Sequence, residues 1–166
     1  MSNSALTICM IDDDENDIFL AQRFFSRQTP SVNFVARSDA GVIYDDLETL
    51  KPSETQTSAY PDFILLDLNM PRADGLSILR RLKSHETLKR IPVFIFSTSE
   101  AQEHVESAYD SGASAYISKP HSVDDYTKLA RAFVGFWSDI ARRPEPIMNC
   151  WRRSGEPGTN RMAARC

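Results

Sequence analysis

Four short apolar runs end in residues that can do chemistry. Asp12, Asp13 and Asp14 follow the first run, Asp67 closes the third, Ser97 closes the fourth, and Lys119, followed by Pro120, lies just past the fifth. Carboxylates crowded together repel one another unless a cation sits between them, and hard oxygen ligands with room for water suit Mg²⁺ better than a transition metal. A nearby lysine would neutralise the cluster or grip a negatively charged group, and the Ser97 hydroxyl could hydrogen-bond the same oxygens. Together these residues describe a pocket for a phosphoryl group beside a magnesium ion. Each feature alone has a plainer reading: an acidic run as a solvated turn or helix cap, a strand-end serine as a cap, and Lys-Pro as a loop. Their joint order and their shared place at strand ends separate the two readings.

The elements that must position these residues are read from hydrophobic spacing. Leu6 to Ile11, Asn33 to Ala36, Phe63 to Asp67, Val93 to Ser97 and Ala115 to Ser118 are short apolar runs bounded by turn residues, which predicts five buried strands. Helical spacing lies between them, clearest at Ile18, Ala21, Phe24 and Phe25, at Leu76, Leu79 and Leu82, and at Val105 and Ala108. A second helix is expected around Gly41 to Leu50 and a last one over Val123 to Arg142. This alternation predicts an α/β fold, a parallel sheet with helices on both faces, whose ligands bind beyond the carboxyl ends of the strands. Lys51 to Pro61, rich in Ser, Thr and Pro, is expected to be an exposed connection, and Pro71 to Gly75 a turn. Residues 1–143 are expected to form one domain. Pro144 and Pro146 interrupt the last helical pattern, so 144–166 reads as an extended or disordered basic tail.

Composition narrows the function. Residues 1–141 carry 13 basic and 21 acidic side chains, whereas 142–166 carry six arginines against two glutamates. An acidic body repels a nucleic-acid backbone, so direct DNA binding is not expected. No apolar stretch reaches the roughly 20 residues that cross a bilayer, and no basic segment precedes a long apolar one, so a cytoplasmic place is expected. Cys9, Cys150 and Cys166 lack metal-type spacing, and neither a disulfide nor zinc is expected.

The segments MIDDD, LLDLNMPRADG, FIFSTS and YISKP resemble the signature segments of response-regulator receiver domains, over residues 5 to 142. The resemblance implies a flavodoxin-like five-stranded parallel sheet of order 2-1-3-4-5. It also implies a single-domain response regulator of a two-component phosphorelay, which accepts a phosphoryl group from a sensor histidine kinase and signals through protein contacts. Carried over by residue, Asp67 is the phosphoacceptor. Asp12 and Asp13 are the acid pair that binds Mg²⁺ with Asp67 and the Asn69 main-chain carbonyl. Lys119 contacts the phosphoryl group, Ser97 is the switch hydroxyl with Thr98 in the small-residue position after it, and Tyr116 is the aromatic that rotates inward. Asn69 and Ser99 modulate dephosphorylation; Ser99 lacks an acid or amide to position water, which implies a long-lived phosphorylated state.

The long insert before the third strand and the ending AFVGFWSDIARRP resemble the small regulators paired with bacterial phytochrome kinases, although Asp12, Asp13 and Asp14 replace that group's Glu-Asp-Asn. That likeness implies a homodimer through the fourth helix, fifth strand and fifth helix. In the last of these, Tyr126, Ala130, Phe133, Trp137 and Ile140 form a stripe for the sheet, with Val134 and Phe136 partly outside it. Two other classes fit less well. A phosphatase of the haloacid dehalogenase type needs a second acid where Asn69 stands, so turnover enzymology is not expected. A flavodoxin-like cofactor binder avoids a carboxylate cluster in its phosphate loop. A degenerate receiver acting as a constitutive adaptor is the third alternative.

Overall fold

Successive strand side chains point to opposite faces, and the central strands are apolar at both parities, so two helical layers are needed to cover them. The structure, a computed structural model, describes residues 5–28, 32–45, 60–71 and 73–143. The main sheet among these residues has the strands β1 (Leu6–Ile11), β2 (Val32–Arg37), β3 (Phe63–Leu66), β4 (Val93–Ser97) and β5 (Ala115–Ser118). They pair in parallel in the order β2-β1-β3-β4-β5, as expected.

Leu6, Ile8 and Met10 of β1, Phe63 and Leu65 of β3, and Phe94 and Phe96 of β4 share one face. There they meet α1 (Glu15–Phe25) through Ala21, Phe24 and Phe25, and α5 (Val123–Gly135) through Tyr126, Ala130 and Phe133. The opposite parity, including Cys9, Ile11, Ile64, Leu66, Val93 and Ile95, packs on α2 (Ala40–Asp45), α3 (Gly75–Ser84) and α4 (Gln102–Asp110). Burying one large apolar side chain contributes about 1.5–3 kcal/mol, so each face is held by many such terms. Cys9 is a buried thiol that desolvation pushes up to about 12. No helix among the described residues is long and apolar enough to cross a membrane.

The structure departs from the sequence expectations in several places. A two-residue antiparallel ladder, Asn69–Met70 with Ala73–Asp74, flanks the turn after β3, and a single 3₁₀ turn forms at Leu88–Arg90. Of the second helix, Ala40–Asp45 is formed, and 46–50 lie outside the described residues. So do 51–59 of the expected exposed connection, whose last two residues, Tyr60 and Pro61, are buried. The expected tail, 144–166, is likewise outside them.

The last helix ends earlier than Arg142. After α5 the chain makes one π-helical turn, Phe136–Ile140, closed by the Ala141 amide donating to the Phe136 carbonyl at 2.8 Å. The wider turn shifts the helical register by a residue, so the expected stripe breaks. Ile140, at the end of that turn, is 75% exposed, whereas Val134, before it in α5, is fully buried rather than marginal. Trp137 is half-buried, its ring centroid 4.5 Å from that of Phe63, and Phe133 sits edge-on to Phe94 at 5.0 Å.

Gly75, the first residue of α3, presses on the backbone beyond β3. A Cβ there would collide with the Asp67 carbonyl oxygen and approach the Leu68 Cα to 2.7 Å. Backbone cannot yield as a flexible side chain can. Gly75→Ala is therefore expected to lose about 1–3 kcal/mol, seen as a lower urea midpoint at unchanged slope.

Candidate functional site

The sheet itself fixes the backbones of the site. The Asp12 amide donates to the Arg37 carbonyl at 3.1 Å, the Asp67 amide to Ile11 at 3.0 Å and the Lys119 amide to Ser97 at 2.9 Å. Each charged residue thus extends a strand ladder by one bond. Asp12, Asp67, Ser97 and Lys119 are brought together at the carboxyl ends of the strands, and all four are buried.

Asp13 is exposed, yet one oxygen each of Asp12, Asp13 and Asp67 lie within 4.8 Å of one another. Asp14 takes the plainer role: it is exposed and caps α1, accepting from the Asn16 amide at 2.8 Å. Asp12 Oδ1 accepts from the Asp14 amide at 2.9 Å, but Asp12 Oδ2 and Asp67 Oδ1 are buried without a hydrogen-bond donor among the described residues. The Lys119 ammonium offsets the first, but a buried carboxylate oxygen such as Asp67 Oδ1 is costly when left without a partner, and a divalent cation beside the acid group would relieve it. Burial accordingly raises Asp12 above the usual carboxylate range, against the opposing effect of Lys119. The residues present therefore fit a hard divalent ion.

Lys119 Nζ is the cation already in place. It lies 2.7 Å from Asp12 Oδ2, 2.7 Å from Asp17 Oδ2 and 3.4 Å from Asp67 Oδ2. The Asp12 contact is a buried ion pair, and Nζ also donates a hydrogen bond to Asp17 Oδ2. Burial alone would lower the Lys119 ammonium, but the Asp12 and Asp17 carboxylates outweigh it and raise the group above its ordinary value. Asp17 was not anticipated. In the first turn of α1 it reads as an ordinary partner of the helix dipole, and only the roll of α1 on the sheet turns it towards Lys119.

The remaining expected residues form a second layer. Ser97 Oγ accepts from Asn69 Nδ2 and from the Ser99 amide, both at 3.3 Å. Asn69 is exposed and pairs with Asp74 in the short ladder. Thr98 is exposed. Ser99 Oγ is engaged by His104 Nδ1 of α4 at 2.8 Å, a contact that sequence spacing did not signal. Tyr116 is half-buried, and its hydroxyl donates to the Ser99 carbonyl at 2.8 Å. It also packs against the core cluster on that face of the sheet.

Comparison with known proteins agrees with this geometry. A family model for the response regulator receiver domain matches residues 8–131. The response regulator Rcp1 of Synechocystis sp. is 29% identical over 143 residues, covering 86% of this chain and 96% of its own. A manganese-bound form of Rcp1 superposes with a TM-score of 0.70 at 26% identity, over 84% of this chain and 99% of that one. The phosphorylated cyanobacterial phytochrome response regulator RcpA gives 0.71 at 31% identity, over 85% and 99% of the two chains. RPA3017, a response regulator in red light signalling of R. palustris, gives 0.72 at 33% identity, over 84% and 98%. With the family model spanning all five strands and the acidic rim built where their carboxyl ends converge, the chain belongs to the response regulator receiver domains of two-component signalling.

Proposed function

We propose that this protein accepts a phosphoryl group from a sensor histidine kinase on the carboxylate of Asp67, in the presence of Mg²⁺, and signals through protein contacts. The observation that carries this reading is the convergence of the Asp12, Asp13 and Asp67 carboxylates, with Asp67 Oδ1 buried without a hydrogen-bond partner among the described residues and the Lys119 ammonium beside the cluster. Asp12, Asp13, Asp67 and the Asn69 main-chain carbonyl would hold the ion. When bound, Mg²⁺ supplies the charge neutralisation that lets an anionic carboxylate approach an anionic phosphoryl group.

In the transfer, an Asp67 oxygen forms a bond to phosphorus as the phosphorus–nitrogen bond to the kinase histidine breaks, and the electron pair returns to the imidazole. Lys119 pairs with the phosphoryl oxygens. Ser97 Oγ, an acceptor in both of its recorded bonds, turns its hydroxyl proton towards them and pulls the Ser99 segment along. Tyr116 follows through its bond to the Ser99 carbonyl. The modulators of hydrolysis are Asn69 and Ser99. Because His104 already engages the Ser99 hydroxyl, that group is poorly placed to orient water, which favours a long-lived phosphorylated state. This is signalling chemistry in the cytoplasm, without turnover of a free substrate.

The relatives that act with phytochromes or in red light signalling support a bacterial phytochrome as the kinase partner. A homodimer through α4, β5 and α5 is the favoured assembly. After the sheet is covered, Tyr109 of α4 is 50% exposed and Phe136, just past α5, 47%. Exposed aromatic groups of this kind mark protein contacts.

Incubation with acetyl phosphate and Mg²⁺ is expected to add one phosphoryl mass to the parent chain by intact mass spectrometry and none to Asp67→Asn. Labelling of that variant, or full labelling of the parent in excess chelator, would overturn the assignment. Asp13 is exposed, so Asp13→Asn should leave metal-free stability within about 0.5 kcal/mol. It should nevertheless lose the rise in melting temperature that Mg²⁺ gives the parent chain. Light scattering is expected to show a dimer that Phe136→Ser converts to a monomer; a parent that stays monomeric when concentrated, phosphorylated or not, would remove that assembly.

A further inference from the structure

Ser99 uses every polar group it has, and each reaches a different part of the molecule. Its amide donates to Ser97 Oγ at 3.3 Å, its carbonyl accepts from the Tyr116 hydroxyl of β5 at 2.8 Å, and its own hydroxyl meets His104 Nδ1 of α4 at 2.8 Å. The last of these reaches a helix whose start is weakly secured. Ala101 stands at the N-cap and has no side-chain oxygen to offer, and no side chain among the described residues caps α4. The His104 and Val105 amides both end on the Ala101 carbonyl, at 3.0 and 3.2 Å, and the Ala101 amide donates to Ser99 Oγ at 3.4 Å. One hydroxyl thus holds the start of α4 at two points, and His104 supplies the shorter contact.

A hydroxyl both donates and accepts, so its link to the imidazole holds whichever ring nitrogen carries the proton. When Ser97 turns towards a phosphoryl group, the Ser99 amide follows its oxygen and the Ser99 hydroxyl moves with the residue. An uncapped helix start offers little resistance to that pull. We propose that His104 is a positioning residue that couples the switch to α4: through the Ser99 hydroxyl it carries the displacement made at Ser97 into the first turn of the helix. The coupling presupposes the proposed phosphorylation of Asp67. It gives α4 a connection of its own, separate from the Tyr116 hydroxyl that serves β5.

The test measures amide hydrogen exchange at the start of α4 and along β5 in the full chain, with Mg²⁺ alone and with Mg²⁺ and acetyl phosphate. Phosphorylation is expected to speed exchange of the amides of residues 104–106 in the parent by about fivefold, the worth of one ordinary hydrogen bond. In His104→Ala that response should fall below about twofold, while the response of β5 persists. Alanine is the stronger helix former, so a weakened helix does not account for such a loss. His104→Asn, whose side-chain amide also donates or accepts at the reach of Nδ1, should restore the response. Ser99→Ala should lose it as well, and adding His104→Ala to Ser99→Ala should change nothing further. Thermal melts of each variant confirm that it is folded.

A parent-sized α4 response in His104→Ala would overturn the proposal, and so would a phosphorylated parent whose α4 exchange does not quicken. Loss of the β5 response together with that of α4 would also overturn it, since His104 would then support the loop as a whole. So would failure of His104→Asn to restore the response, because the role would belong to the ring and not to its hydrogen bond. A parent chain that gains no phosphoryl mass would instead overturn the reading of Asp67, whereas normal labelling with any of these results isolates the failure to His104.

Discussion

Buried negative charge outnumbers buried positive charge at the carboxyl edge of the sheet, and the rest of the structure accommodates that imbalance. Asp12 and Asp67 are held there by ladder hydrogen bonds that leave them no freedom to turn into water. One ammonium group, Lys119, lies between them and Asp17, and Asp67 Oδ1 has no hydrogen-bond partner among the described residues. An apolar pocket of the same shape would be more stable, so the arrangement stores free energy that a cation and an incoming phosphoryl group can release. Attraction for a divalent ion is therefore built into the metal-free fold.

Rigidity behind the cluster makes the imbalance useful. The strands beneath it are apolar at both parities and are packed between two helical layers, so the carboxylates cannot relax by backbone movement. Gly75 tightens the same frame from the side, because α3 begins in van der Waals contact with the backbone that carries Asp67. By contrast, Ser97, Ser99, Tyr116 and His104 are linked through hydrogen bonds across a loop, β5 and α4. Such a chain can shift by exchanging partners without unpacking the core. Stiff strands under the charges and an exchangeable network beside them suit a site that must hold its geometry and report its occupancy.

At the other end of the molecule the aromatic layer fulfils a different constraint. Phe63, Phe94, Phe133 and Trp137 pack edge-on or tilted against one another beneath the end of α5. The π-helical turn keeps Trp137 in that layer and turns Ile140 outward, while Phe136 leans on Trp137 with its own face half open. Arg143 then reaches Asp62 at 3.2 Å and ties the end of the chain's described part to the start of β3. The exposed aromatic surface is thus held on a firm base rather than on a fraying helix end.

The amino-acid sequence alone determined the five strands, their helical cover and the residues that close each strand. Those features rest on periodicity and on chain order, both of which are local: Asp12, Asp67, Ser97 and Lys119 could be grouped once each was seen to end a strand of one parallel sheet. Tertiary structure decided what depends on rotation about an axis. Asp14 and Asp17 are both acids at the start of α1, and only the roll of that helix makes one a cap and the other the partner of Lys119. The outward turn of Ile140 has a related origin, since a single π turn resets the side chains that follow its start while leaving the hydrophobic spacing unchanged in the sequence. His104 and Ser99 meet for a similar reason, because the angle at which α4 leaves its loop is set by packing on the sheet and not by any residue within the segment.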